Sequence, residues 1–313
     1  MKGSSQNISY RIDFMKMRLL WVGISVVLSV AAIISLAAKG LHYSVDFTGG
    51  TVVETSFKEA ADIHDIRLRL ERAGFINPVA QTFGSSRQVL IRLAPAKELT
   101  NIELKNKIMH AINDDASNQA DMTRIEFVGP QVGEDLAEGA VLAMIMATIG
   151  ILIYVAWRFE WRFSLGAILA TLHDIIMIVG FFSLFDWEFD LTVLAAVLAI
   201  MGYSLNDTIV VFDRIRENFR KVRRADTIQV VNLSINETLS RTLMTSFLTL
   251  LTVLAMALWG GQALHYFSLA LIIGIVVGTY SSIYVASALT VWLGISRADM
   301  LVSENDSTTD NRP

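Results

Sequence analysis

Residues 201–212 read MGYSLNDTIVVF. They close a run, Leu191 to Phe212, of 22 residues without a basic side chain, long enough to cross a hydrocarbon core about 30 Å thick. Asp207 sits inside that run beside Asn206. A carboxylate at the centre of a bilayer costs about 2.5–3.5 kcal/mol to insert, so such residues are kept for function. Desolvation favours the neutral carboxyl and a nearby cation favours the anion. A group balanced between the two can load and release a proton. The structural alternative is an acid that only clamps two helices by hydrogen bonding, and the functional reading carries more weight.

The cation in reach is Arg241. At about 1.5 Å per residue, Asp207 lies within two turns of the inner end of its span, and Arg241 precedes the apolar core of the fifth span at the same end. Position alone favours a plain flanking arginine that snorkels to the headgroups. Its surroundings favour the pairing. Thr238, Thr242, Thr245, Thr249 and Thr252 repeat every three or four residues, and Thr245 lies one turn from Arg241 on the same side. The stripe reads as a hydrated proton path or as hydroxyl-mediated helix packing, packing being the safer. His173-Asp174, in the middle of the third span, suits a proton relay or a pin between helices, with the pin slightly favoured. Asn206 has no reading beyond a hydrogen bond to a neighbour. Gly274, Gly278, Ser282 and Ala286 repeat at every fourth position, a small-residue face for a close partner helix.

Other chemistries find little support. Asp46, Gly49 and Gly50 belong to a DFTGG turn, where glycines permit tight entry to a strand; a phosphate loop would need a Walker lysine and an outgoing helix. HExxH, GxSxG and cysteines are all missing, so neither a conventional enzyme nor a metal set is expected. Asp174 and Asp207 would suit an intramembrane aspartyl protease, but the GxGD pattern is not there.

These residues need elements to hold them. Of the 313 residues 53% are hydrophobic and 18% charged, against about 25% charged in a soluble protein. The net charge of −4 gives no reason to expect nucleic acid. Six spans are predicted: 19–38, 139–157, 163–185, 191–212, 243–264 and 267–295. The first, 20 uncharged residues, exceeds the about 7–15 of a signal-peptide core and reads as an uncleaved anchor. Basic residues gather in 1–18, 158–162 and 213–242, while the DWEFD link at 186–190 has none. The charge rule puts both termini inside, with 296–313 a polar tail. Residues 39–138 then lie outside. Their pattern reads strand, helix, strand, strand, helix, strand. Val53, Thr55 and Phe57 alternate. Ile63, Ile66, Leu70 and Ala73 share a helical face closed by Gly74. A hairpin joins 79–83 to 89–93 across Gly84-Ser85-Ser86. Thr100 to Glu103 is a capping box ahead of Leu104, Ile108 and Ile112, and Ile125 and Phe127 mark the last strand. The order is ferredoxin-like βαββαβ. Residues 213–242 read either as a basic amphipathic segment along the inner membrane surface or as a solvated loop, with stripes at Ile215, Phe219 and Val222 and at Ile228, Val231, Ile235 and Leu239.

Six stretches, VDFTGGTVVE at 45–54, RIEFVGPQVG at 124–133, RFEWRFSLGAILATLHD at 158–174, MGYSLNDTIVVFDRIRENFRK at 201–221, LSRTLMTS at 239–246 and GTYSSIYVAS at 278–287, together resemble the SecD/SecF family of bacterial protein-export subunits, within the resistance-nodulation-division transporters. The resemblance implies a six-span inner-membrane subunit with a ferredoxin-like periplasmic domain. It implies a SecD partner beside the SecYEG channel and the SecA motor, an unfolded exported polypeptide as client, and protons as the coupling ion with no cofactor. It places the family's membrane aspartate on Asp207, its arginine on Arg241 and a threonine on Thr245, with a further aspartate in the partner chain. The runner-up is half of a proton-coupled small-molecule exporter of the same superfamily.

Overall fold

The computed structural model describes residues 11–83, 85–95, 100–114, 118–222, 225–261 and 264–296. The expected tail beyond 296, the extreme N-terminus and Gly84 of the predicted hairpin lie outside the described residues. The chain forms two compact units. A helical unit takes residues up to 41, 144–187 and 192 onward, and a sheet unit takes 42–143 with 188–191.

The sheet unit carries the predicted ferredoxin-like order. Strands β2 (Gly50–Phe57), β3 (Val79–Phe83), β4 (Ser85–Leu93) and β5 (Ala120–Val128) pair antiparallel in the order β3-β4-β2-β5. Helices α3 (Ile63–Arg72) and α4 (Asn101–Asn113) join them. Val53, Thr55 and Phe57 are the buried face of β2, as its alternation requires. They meet Ile66, Leu70, Leu104, Ile108 and Ile112 in one core. Asp62 caps α3, and Thr100 and Glu103 close the capping box of α4. Strand β4 begins at Ser85, four residues before the predicted start at 89.

Two further short elements belong to this unit. Strand β1 (His42–Tyr43) pairs in parallel with β6 (Glu188–Phe189), so the acidic link is not a plain loop. One helical turn, α2 (Val45–Thr48), precedes Gly49 and Gly50. Both glycines have positive φ, 68° and 139°, and a Cβ on Gly50 would lie 2.6 Å from the Leu93 carbonyl oxygen. The turn therefore needs glycine for conformation and for space.

Among the described residues six helical stretches are long and apolar enough to span a membrane: α1 (Arg18–Lys39, with a preceding 3-10 turn), α5 (Pro130–Arg158), α6 (Trp161–Phe185), α7 (Leu191–Lys221), α8 (Thr227–Trp259), and α9 (His265–Ser281) continued through a π turn at Ser282–Ala286 into α10 (Ser287–Trp292). Several ends depart from expectation. α5 starts at Pro130, nine residues before the apolar run, because Glu134, Asp135 and Glu138 fit a helix as well as they fit a loop. The fifth span stops at Trp259 before Gly260-Gly261, not at 264.

The main correction concerns 213–242. Its described residues are mostly helical where a loop is one of the two readings: α7 runs on to Lys221 and α8 begins at Thr227. Ile215, Phe219, Val230, Val231 and Ile235 are buried in one cluster. The two stripes pack on each other, which removes more apolar area from water than lying side by side on headgroups. Arg214 pairs with Glu237 at 2.7 Å, and Asn218 donates to Ser234 at 3.0 Å. Arg216 likewise pairs with Glu160 at 3.2 Å, and Asp213 with Arg158 at 2.8 Å.

Candidate functional site

Small residues let the helices of the bundle approach closely enough to bury polar groups. A Cβ on Gly180 of α6 would sit 2.2 Å from the Ala32 Cβ of α1. Gly274 accepts Ile200 in the same way, and Gly278 lies against Ser204 of α7. The small-residue face thus finds its partner within this chain, on α7. Its phase changes at Ser282 and Ala286, which lie in the π turn.

Asp174 occupies the centre of this packing and is 1% exposed. Its carboxylate accepts from Ser204 of α7, and from Ser281 of α9 at 2.9 Å. His173 Nδ1 lies 2.9 Å from its other oxygen. With Nδ1–H donating to the carboxylate, Nε2 is left as a buried atom that meets no hydrogen-bond partner among the described residues. One carboxylate therefore ties three helices together. Ser204 and Ser281 were not among the predicted site residues. Their only signals were the spacing of Ser204 three before Asp207 and the place of Ser281 three after Gly278.

Asp207 lies one turn beyond Ser204 on the same face of α7 and is 5% exposed. Its Oδ2 meets no donor among the described residues. Thr242, itself buried, faces it from α8, near enough to act on the charge, yet its hydroxyl oxygen also makes no hydrogen bond among the described residues. Arg241 acts on the carboxyl through space. No closed ion pair joins the two among the described residues. Arg241 and Thr245 are exposed on the outside of the bundle. Asn206 is exposed as well. The structure thus brings Asp207, Thr242 and Arg241 into one neighbourhood, and sets Thr245 on the rim.

The threonine stripe spends its hydroxyls locally. Thr245 donates to the carbonyls of Arg241 and Thr242 at 3.1 and 3.0 Å, and Thr249 and Thr252 to those of Thr245 and Leu248 at 2.8 Å each. Hydroxyls bonded back to the preceding turn satisfy themselves. Toward α9, Ser246 instead meets Thr279 at 2.6 Å.

In the sheet unit, Asp46 Oδ2 accepts from the Leu191 amide at 3.2 Å, which satisfies one of the orphan donors at the start of α7. Gly49 abuts Pro130 and Gly133 at the start of α5. A group of at least three metal-ligating side chains is not found among the described residues.

Comparison with known proteins places these features in a family. Residues 108–296 match the family described as protein export membrane protein SecD/SecF, C-terminal, and residues 34–61 match the SecD/SecF GG motif. The protein translocase subunit SecF of Pseudomonas aeruginosa is 46% identical over 303 residues, covering 96% of this chain and 98% of that protein. That of Vibrio alginolyticus is 48% identical, covering 93% and 92%. Among solved structures, SecDF from Thermus thermophilus, described as a translocon-associated membrane protein, superposes with a TM-score of 0.80 at 41% identity. It covers 90% of this chain, which spans only 38% of the SecDF chain. With six spans, an α+β region between the first two and near-complete coverage by translocase subunits, the chain belongs to the SecD/SecF family, on its SecF side, a family of transport subunits and not of enzymes.

Proposed function

We propose that the chain works with a SecD partner, beside the SecYEG channel and the SecA motor, to let the proton-motive force promote movement of unfolded preproteins across the bacterial inner membrane. Asp207 is the proton carrier in this reading, Arg241 its cationic partner and Thr245 the hydroxyl next to it. Both termini face the cytoplasm and the sheet unit faces the periplasm, in keeping with the basic flanks of the spans.

The observation that carries the reading is the state of Asp207. A carboxylate used only as a clamp would have its oxygens satisfied, as those of Asp174 are. Asp207 is also buried in a spanning helix, yet among the described residues its Oδ2 meets no donor and Arg241 forms no ion pair with it. Arg241 and Thr245 are exposed at the rim of the chain, where a second subunit can complete the site. That this chain aligns with about two fifths of the single-chain SecDF supports a SecD-type complement. Moving one charge through 100 mV supplies about 2.3 kcal/mol, enough to bias a two-state motion by more than tenfold.

The test is Asp207→Asn in vesicles with an imposed proton gradient. The gradient-driven increment of preprotein export should vanish while gradient-independent export persists. A full increment in Asp207→Asn overturns the proposal.

A further inference from the structure

Strand β4 turns Ile91 and Leu93 toward the helices of the sheet unit and Arg92 away from them. An arginine on that face would ordinarily be solvated, yet Arg92 is 7% exposed. Its guanidinium donates through Nη2 to the Glu188 carboxylate and through Nη1 to His42 Nε2 at 2.9 Å, which fixes His42 with its proton on Nδ1. His42 and Glu188 are themselves register partners across β1 and β6. Around them the Ser44 amide donates to the Phe189 carbonyl at 3.0 Å, Phe47 stacks on Phe189, and Asp46 accepts from the Leu191 amide. Segments far apart in sequence, 42–47, Arg92 and 188–191, converge on one cluster around the buried Arg92. Residues 188–191 are the connection between α6 and α7, and α7 carries Asp207.

We infer that Arg92, Glu188 and Asp46 are positioning residues of the cycle: they clasp the α6–α7 connection into the sheet unit, so that the sheet unit and the helix bearing Asp207 are coupled through it. The inference rests on the proton-driven reading above and adds to it the means by which a change at Asp207 reaches the sheet unit. Arg92 is the centre of the clasp because its one guanidinium bonds both β1 and β6. Asp46 makes the DFTGG turn part of it, and Gly49 and Gly50 bring that carboxylate to the start of α7. The charged groups that face Glu188 are Arg92, Asp190 and Asp46.

The chain contains no cysteine, so one engineered disulfide is unambiguous. The experiment uses the full chain, reconstituted with its SecD partner and the channel, and compares Arg92→Ala with the same variant carrying Tyr43→Cys and Phe189→Cys, which oppose each other across β1 and β6. Two quantities are read: amide exchange at Ser44 and Leu191, and the gradient-driven increment of export. Arg92→Ala should speed exchange at both amides at least about tenfold, as expected when one partner of a buried pair is removed, and abolish the increment. The oxidised disulfide should restore the increment, and reduction should remove it again. Unchanged exchange in Arg92→Ala overturns the inference. So does faster exchange with a full increment, or an oxidised disulfide that restores no export. If Arg92→Ala fails to accumulate, Glu188→Ala is read in the same two ways. Asp207→Asn, run alongside, separates the two proposals: it should lose the increment with exchange at Ser44 and Leu191 unchanged, and a normal increment there sinks the proton reading, whereas a normal increment in Arg92→Ala alone sinks the clasp.

Discussion

Two buried carboxylates one helix apart show how environment assigns different work to the same side chain. Asp174 has donors on three sides and holds α6, α7 and α9 together. Ser281→Ala should therefore lower the stability of the bundle by about 0.6 kcal/mol, the average for hydrogen bonds between membrane helices, and by no more than about 1.7 kcal/mol, read from unfolding of the full chain in detergent. Asp174→Ala should cost more than Ser281→Ala, since it removes the acceptor of His173, Ser204 and Ser281 at once; a smaller loss would show that Asp174 is not the centre of the network. Both acids stood out in the sequence because a charge in an apolar run is conspicuous. Ser204 and Ser281 did not. Serine is common in spanning helices, and only the crossing of α7 and α9 brings these two to one oxygen.

Among the elements, the ones with local signals were legible. The alternation of β2, the one-sided helices α3 and α4 and the Thr100–Glu103 box are patterns within a dozen residues, and the ferredoxin-like order follows from their sequence. Ladders between distant segments carry no such signal. β1 and β6 are two residues each and lie on opposite sides of two long helices, α5 and α6, in the chain, so neither could be read. The stripes of 213–242 were visible, but not that they face each other. The β1–β6 element has a property of its own. Burial pushes the Glu188 carboxyl above its ordinary value, against the opposing pull of Arg92 and with Asp190 and Asp46 adding to the rise. The folded state then holds that proton more tightly than the unfolded chain. Its contribution to stability is present at low pH and is lost as pH rises through the raised folded value. The midpoint of thermal unfolding of the sheet unit, followed in the full chain, should fall with pH across that window, and Glu188→Gln should remove this part of the slope. An unchanged slope in Glu188→Gln would assign it to another group.

At the scale of the whole molecule, the helical unit divides its faces unequally. Half of the apolar stretch of α6, α7 and α9 is buried within the chain, against 6% of that of α5. Val141, Leu142, Ile145, Met146, Ile149 and Ile153 of α5 are all exposed, a surface suited to lipid or to another apolar helix. The sheet unit is divided in another way, since its last piece, 188–191, is separated from the rest by most of α5 and by α6. A chain ended after residue 187 should keep slow amide exchange in the β2–β5 ladder, whose core is complete, and lose it across 42–48. Loss of protection throughout the sheet would show that the connection belongs to the folding core. For a polypeptide made from its N-terminus, this division sets an order of events: the sheet can form as soon as β5 has emerged, but β1, Arg92 and the Asp46 turn have nothing to hold until α5 and α6 have been made and the chain returns. The finished clasp thus records that two further spans have been synthesised.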